Sequence, residues 1–314
     1  EFGVRVRMRT GSGAGGVKAL TAVGPQPEVF HMNDGHSAWI ALERIDSHVT
    51  EGNLNLYSAH QVVASATVFP KHTPVPAGND AFPREMMVRY FGNLAAQLKI
   101  TFDELFHFGQ TSVDPVATFS MTILALRTSR HANGVSKLHG EVSRGLWKDV
   151  WAGVPTHEVP ITSITNGIHT KTWMAPEFSA LYTKYLGDWE EHLIEPDFWR
   201  GVIDIPDAEL WETHQKLKLR LVNFVRDRVR ARRERLGESP EAIRAVNLIL
   251  DPEILTIGFA RRFATYKRGA LLFTDPERLP RLLTATPRPC HVVSAATSHP
   301  RHDAGEAVTQ EAHQ

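Results

Sequence analysis

The chain has 314 residues, enough for about two domains of ~150 residues, and 42% of them are hydrophobic, which supports a packed core. Its 35 Lys and Arg balance 35 Asp and Glu, so net charge points to neither nucleic acid nor an acidic membrane surface. The single cysteine, Cys290, excludes an intrachain disulfide and suits a reducing compartment; no apolar run approaches the ~20 residues of a membrane helix.

Residues 4–10, VRVRMRT, alternate like a strand. Gly11, Gly13 and Gly16 then match the spacing of a dinucleotide fingerprint, with a helix starting at Val17. A glycine-rich turn is the simpler reading of the same residues. No secretory h-region is visible at this end, and the first residue is Glu1 rather than Met, so a fragment of a longer product is expected.

Residues 28–32 predict a strand, followed by an Asn33-Asp34-Gly35 turn and a helix over 36–45. That puts Asn33, Asp34 and His36 at the carboxyl end of a strand, where open α/β sheets form sites. The alternative is a plain helix cap by Asn33 or Asp34. A metal site from His31, Asp34 and His36 lacks any supporting ligand spacing. Residues 62–69 predict a second buried strand, running into a rigid Pro-rich loop that carries His72. Helices are expected over 83–98 and 119–127. An Asn133-Gly134 turn precedes a helix through Val142, Leu146 and Val150, with His139 and Glu141 either polar site residues or a capping pair. Residues 159–164 predict another strand, ending in a polar turn with Asn166 and Gly167. Three strand ends that each put Asn or His in a turn outline the rim of one cleft.

Short helices are expected over 174–203, then a long helix over 208–236, capped by Asp207 and stopped by Gly237. The arginines that crowd it, from Arg226 to Arg235, read as a solvated face. Ser239 and Pro240 open a further helix. Residues 254–259 are apolar and dense enough for a strand buried on both faces. Arg261, Arg262, Lys267 and Arg268 follow, before a helix start at 269–273. Cations between two apolar elements, with no acidic neighbours in sequence, predict a phosphate or polyanion site. A loop, a strand at 291–293 and a polar tail complete the chain.

Taken in order, GGVKAL, VFHMNDGHSAWIALER, VFPKHTPVPAGNDAFP, NGVSKLHGEVSR, ITNGIHTKTW and GFARRFATYKR resemble the α-glucan phosphorylases in their bacterial short form. The stretches cover about residues 10–285. The resemblance implies an α/β fold of two Rossmann-like domains facing a cleft, the arrangement of GT-B glycosyltransferases, incomplete here at both ends. Residues 1–205 would be the later part of the first domain, 206–250 a helical bridge, and 251–314 the start of the second domain with a divergent tail. The implied activity is phosphorolysis of terminal α-1,4-glucosyl units in the cytoplasm, with retention. Its implied partners are α-1,4-glucan, inorganic phosphate and α-glucose 1-phosphate, without nucleic acid or membrane, and a homo-oligomeric full-length protein fits the family. Pyridoxal 5'-phosphate is the implied cofactor, used through its phosphate.

By motif, His72 resembles the residue that bonds the glucose 6-hydroxyl and offers its carbonyl near the reacting carbon, and Asn166 resembles a second 6-hydroxyl contact. Arg262 and Lys267 resemble the pair that holds the substrate phosphate, and Tyr266 a 2-hydroxyl contact. Arg261 falls where the family places a cation near the cofactor phosphate. Asp34 and His36 resemble acceptor-side loop residues. The chemistry needs such charges: the transition state is oxocarbenium-like, and two adjoining phosphates repel each other unless an Arg fork and a Lys ammonium offset them. The family's amino-terminal glycine-rich phosphate loop and its Gly-rich Met-Lys motif, which carries the cofactor lysine, find no match. Residues 296–300 read ATSHP where the family shows a GKAHP-like stretch. A frameshifted or misread end is therefore expected, and an inert chain that at most binds phosphate or glucan is the alternative to catalysis.

Overall fold

A computed structural model describes residues 2–24, 27–111, 118–261, 267–285 and 287–294. The chain divides into two compact units, Glu1–Ile168 and His169–Gln314.

In the first unit, helices α1 (Phe2–Ser12) and α2 (Ala14–Val23) lead to β1 (Phe30–His31). Helices α3 (Trp39–Thr50) and α4 (Leu56–Ser65) separate β1 from β2 (Thr67–Lys71). Then come β3 (Ala81–Pro83), α5 (Arg84–Gln97), α6 (Phe102–His107), β4 (Thr118–Ser120) and α7 (Met121–Arg127). The unit ends with β5 (His131–Gly134), α8 (Lys137–Trp147) and β6 (Ile161–Ser163). Strands β1, β2, β5 and β6 form one sheet in that order, parallel throughout. Helical crossovers between successive strands are what a parallel ladder requires. The mixed α/β class with a parallel sheet is thus as expected. Trp39 anchors the core: its ring stacks on Phe91 at 4.2 Å and on Phe119 at 5.5 Å between centroids, beside fully buried Phe69, Ile45 and Leu124.

Four local expectations need correction. VRVRMRT lies within helix α1, not a strand. Val6 and Arg9, three apart on one helical face, are both engaged: Val6 is fully buried and Arg9 Nε donates to the Asp80 carboxylate at 2.9 Å. Gly11, Gly15 and Gly16 are helical too, and Gly13 is the junction between α1 and α2. A Cβ on Gly13 would stand 2.8 Å from Trp39 Cβ and 3.2 Å from the Ile40 nitrogen, so this glycine permits a close helix crossing rather than a phosphate turn. Residues 62–65 belong to α4, and the strand starts only at Thr67. Asn55 caps that helix by accepting from the Ser58 N–H at 2.9 Å, and Ala59 and Val63, four apart, make its buried stripe. Asn133-Gly134 is the end of β5, not a turn. Gly134 is required there because a Cβ would meet the Gly140 nitrogen at 2.6 Å.

The second unit holds α9 (Thr170–Trp173), α10 (Pro176–Leu186), α11 (Asp207–Arg235), α12 (Pro240–Ala245), β7 (Leu255–Phe259), α13 (Arg278–Leu283) and β8 (Cys290–Ser294). Pro206 occupies the cap position of α11, and Asp207 sits in its first turn, where its charge favours the helix dipole. Several arginines of α11 are committed to the protein. Arg226 donates to the carbonyls of Ile249 and Leu250 at 2.9 and 3.1 Å, Arg230 pairs with Asp227 at 2.7 Å, and Arg220 with Glu177 at 3.0 Å. Strand β7 pairs in parallel with β8, yet Leu255 and Ile257 are 62% and 46% exposed. The expectation of a strand buried on both faces is therefore corrected: such burial needs a helix layer on each side, and among the described residues β8 is its one sheet neighbour. Residues Gly269–Phe273 form a short 3-10 turn rather than an α-helix. Residues 296–300 lie outside the described residues. Among the described residues no helix is long and apolar enough to cross a membrane, and no three His, Cys, Asp or Glu side chains group as metal ligands.

Candidate functional site

A parallel sheet sends the carboxyl ends of its strands to one edge, where ligands bind in open α/β folds. Here Asp34 follows β1, His72 follows β2, the segment leading to His139 follows β5, and Asn166 follows β6. Strands lie about 4.8 Å apart, so β2 and β6, two places apart in the sheet, set the backbones after them about 10 Å apart. Backbone bonds continue the ladder into these turns. Asp34 N–H donates to the Pro70 carbonyl at 3.1 Å, Ile164 N–H to Gly134 at 2.9 Å, and Asn166 N–H to Val135 at 3.2 Å.

Asp34 has φ +67° and ψ 168°, outside the left-handed helical well and in a region that otherwise belongs almost wholly to glycine, so its backbone is strained. Its Oδ1 accepts from the Gly35 N–H at 2.8 Å and from Lys71 Nζ at 2.5 Å; its Oδ2 accepts from Thr73 Oγ1 at 2.8 Å. The capping alternative therefore holds as well, since Gly35 opens a 3-10 turn. The side chains of Lys71 and Asp34 are 3% and 19% exposed. Burial pushes the Asp34 carboxyl up, but the bond and charge of Lys71, then Thr73 and Gly35, outweigh it and hold the group below the usual carboxylate range. Burial holds the Lys71 ammonium below its ordinary value, against the pull of Asp34. The pair ties β1 to β2 and fixes Thr73, leaving His72 exposed between two anchored residues.

His36 is partly buried, and burial followed by the charge of Arg9 lowers its pKa, with Asp34 and Asp80 opposing. His139 is 8% exposed. Its Nδ1 accepts from the Val135 N–H at 3.2 Å, while its Nε2 is buried without a hydrogen-bond partner. Burial lowers its pKa, the Thr73 carbonyl opposes, and Lys71 and His72 add to the lowering. Both imidazoles are thus neutral at pH 7. The sequence reading left His139 as one of two alternatives and did not single out Lys71. Its signal was a lysine closing an apolar strand beside the acid turn of Asp34.

In the second unit Arg261 is exposed and donates to its neighbour, the Ala260 carbonyl, at 2.9 Å. Lys267 is partly buried. Arg262 and Tyr266 lie outside the described residues. The structure therefore brings Asp34, His36, His72 and Asn166 to one sheet edge. Such an edge carries an exposed imidazole, an exposed amide, neutral histidines and a carboxylate already saturated by its neighbours. That set suits a neutral, polyhydroxylated ligand gripped by hydrogen bonds.

No family model matches the chain. Over 98% of its length it is 39% identical to a maltodextrin phosphorylase of Thermococcus litoralis, across 308 residues. It is 40% identical over 318 residues to a glycogen phosphorylase of Mycobacterium tuberculosis, and 33% identical over 311 residues to a glycogen phosphorylase of Aquifex aeolicus. The chain spans 36% of the length of the first two relatives and 44% of the third.

Proposed function

We propose that the chain is part of an α-glucan phosphorylase, and that the carboxyl edge of its parallel sheet receives the glucosyl unit at the point of cleavage. The observation that carries this reading is the convergence of Asp34, His72 and Asn166 on that edge, in a chain similar to named phosphorylases over 98% of its length. His72 and Asn166 orient the sugar through its 6-hydroxyl, and the His72 carbonyl lies toward the positive charge that develops at the reacting carbon. Asp34 and His36 stand on the acceptor side. Tyr266 bonds the 2-hydroxyl, and Arg262 with Lys267 holds inorganic phosphate for attack, giving α-glucose 1-phosphate with retention.

In the whole protein two Rossmann-like domains face across a cleft. Residues 1–205 belong to the first domain, 206–250 to a helical bridge, and 251–314 to the start of the second. Pyridoxal 5'-phosphate supplies, when bound, a second phosphate beside the attacking one. Arg261 is the cation assigned toward it. Exposed and bonded to Ala260, Arg261 does not by itself hold that group, and the roles above do not depend on it.

The test is phosphate-dependent formation of α-glucose 1-phosphate from maltodextrin by the whole protein. The expected result is turnover that falls about 100-fold or more in Arg262→Ala. A whole protein that forms no glucose 1-phosphate overturns the reading. A second reading applies to the chain alone, because it spans 36% of its relatives' length: it binds glucan without turning it over. Pyridoxal phosphate with borohydride separates the two. A stable lysine adduct with phosphorolysis supports catalysis by the chain, and glucan binding without either supports the binding-only reading.

A further inference from the structure

His139 takes no part in the roles assigned above, yet it is 8% exposed and sits at the same sheet edge. Its partners set its tautomer. Because Nδ1 accepts the Val135 N–H at 3.2 Å, the proton of the neutral ring is on Nε2. That N–H is buried with no well-formed hydrogen bond, a state folded proteins rarely leave without a use, although the Thr73 carbonyl already lies near enough to oppose the lowering of the ring's pKa. The ring is also held in place. Ser136 Oγ caps α8 by accepting from the His139 N–H at 3.2 Å. A Cβ on Gly134 would stand 2.6 Å from the Gly140 nitrogen, and one on Gly140 would stand 2.9 Å from Ser163 Cβ, so α8 lies hard against β5 and β6. The groups that act on the ring are the Thr73 carbonyl and the charges of Lys71 and His72 from the end of β2, and that of Asp34 from the end of β1. Thr73 is tethered by its side chain to Asp34 at 2.8 Å, which keeps its carbonyl beside the ring.

We propose that His139 is a positioning residue: when the loop after β2 settles on its ligand, the His139 Nε2–H donates to the Thr73 carbonyl and latches the loop, and so His72, in place. The latch rests on the phosphorylase reading only for the identity of that ligand. Two substitutions separate its two nitrogens. His139→Gln keeps a donor near the Nε2 position, and His139→Asn keeps an acceptor near Nδ1 but loses the donor.

The experiment is nitrogen NMR of the ring, with amide exchange of residues 73–75 and titration with maltopentaose. The expected result is an Nε2–H ring whose proton becomes more protected on adding maltopentaose. His139→Asn should bind maltopentaose about tenfold more weakly and exchange the loop amides faster, while His139→Gln stays within about threefold of the parent. A proton on Nδ1, or equal losses in both variants, or no loss in His139→Asn, overturns the latch. If the parent binds no maltopentaose, the phosphorylase reading fails; the latch is then decided by the tautomer and by loop exchange, expected faster in His139→Asn alone.

Discussion

Among the residues of the site, Asp34 and Lys71 set the geometry. Asp34→Asn would leave a buried ammonium without its counter-charge, and we expect a loss of about 3–5 kcal/mol in urea unfolding. Adding Lys71→Met should restore most of it, since the two side chains act as one unit. The pH dependence follows from the direction of the shift. The folded Asp34 carboxyl lies below its unfolded value, so its contribution is full above the ordinary carboxylate range and is lost as pH falls through that range toward the lowered value. An acid titration should therefore be steeper for the parent than for the double variant. His36 and His139 act at higher pH. Both imidazoles are lowered in the folded chain, so the unfolded state binds more protons below about pH 6.5, and stability should drop between pH 7.5 and 5.5. Urea midpoints at the two values check this, and His139→Gln should remove part of the drop. Lys71 carried only a weak signal in the sequence, a lysine closing an apolar strand, because such a lysine does not say whether it faces water or a carboxylate 37 residues earlier. Asp34 was legible through its turn chemistry, though its saturation by Lys71, Thr73 and Gly35 was not.

At the scale of elements, glycine contacts and caps decide where the site residues stand. Gly134→Ala would drive a methyl into the backbone of α8, and we expect a loss of about 2 kcal/mol or more, seen as a lower unfolding midpoint. Asn55→Ala removes a cap from α4 and should cost about 1 kcal/mol, without affecting the site. Helices α5, α8 and α11 were readable from their apolar spacing. The misreadings share a cause. Residues 4–10 and 62–69 are short and mix Val with polar or small residues, so a period of two and a period of 3.6 both fit them. Packing against Asp80 for Arg9, and against the core for Ala59 and Val63, decides for the helix. Asn133-Gly134 carries the composition of a turn, but its glycine serves the approach of α8, a contact far from local in its consequence.

Over the whole molecule, the first unit carries a continuous aromatic and aliphatic core from Val6 to Ile161, whereas strand β7 of the second unit shows Leu255 and Ile257 to solvent. Amide exchange should be slowest in β2 and β5, each with ladder partners on both sides, and faster in β7. Equal protection would mean that β7 is covered in solution. The common sheet edge was legible because each of its turns carries Asn or His directly after an apolar run. Arg262 and Tyr266, which the sequence motifs single out, lie outside the described residues, so their roles rest on the motif and on kinetics. Sugar binding is the most direct measurement of what the sheet edge does. In isothermal titration of maltopentaose, His72→Ala and Asn166→Ala should each weaken binding by about tenfold, the loss of one well-made hydrogen bond. Unchanged affinity in both variants would contradict the assignment of this edge as the glucosyl site.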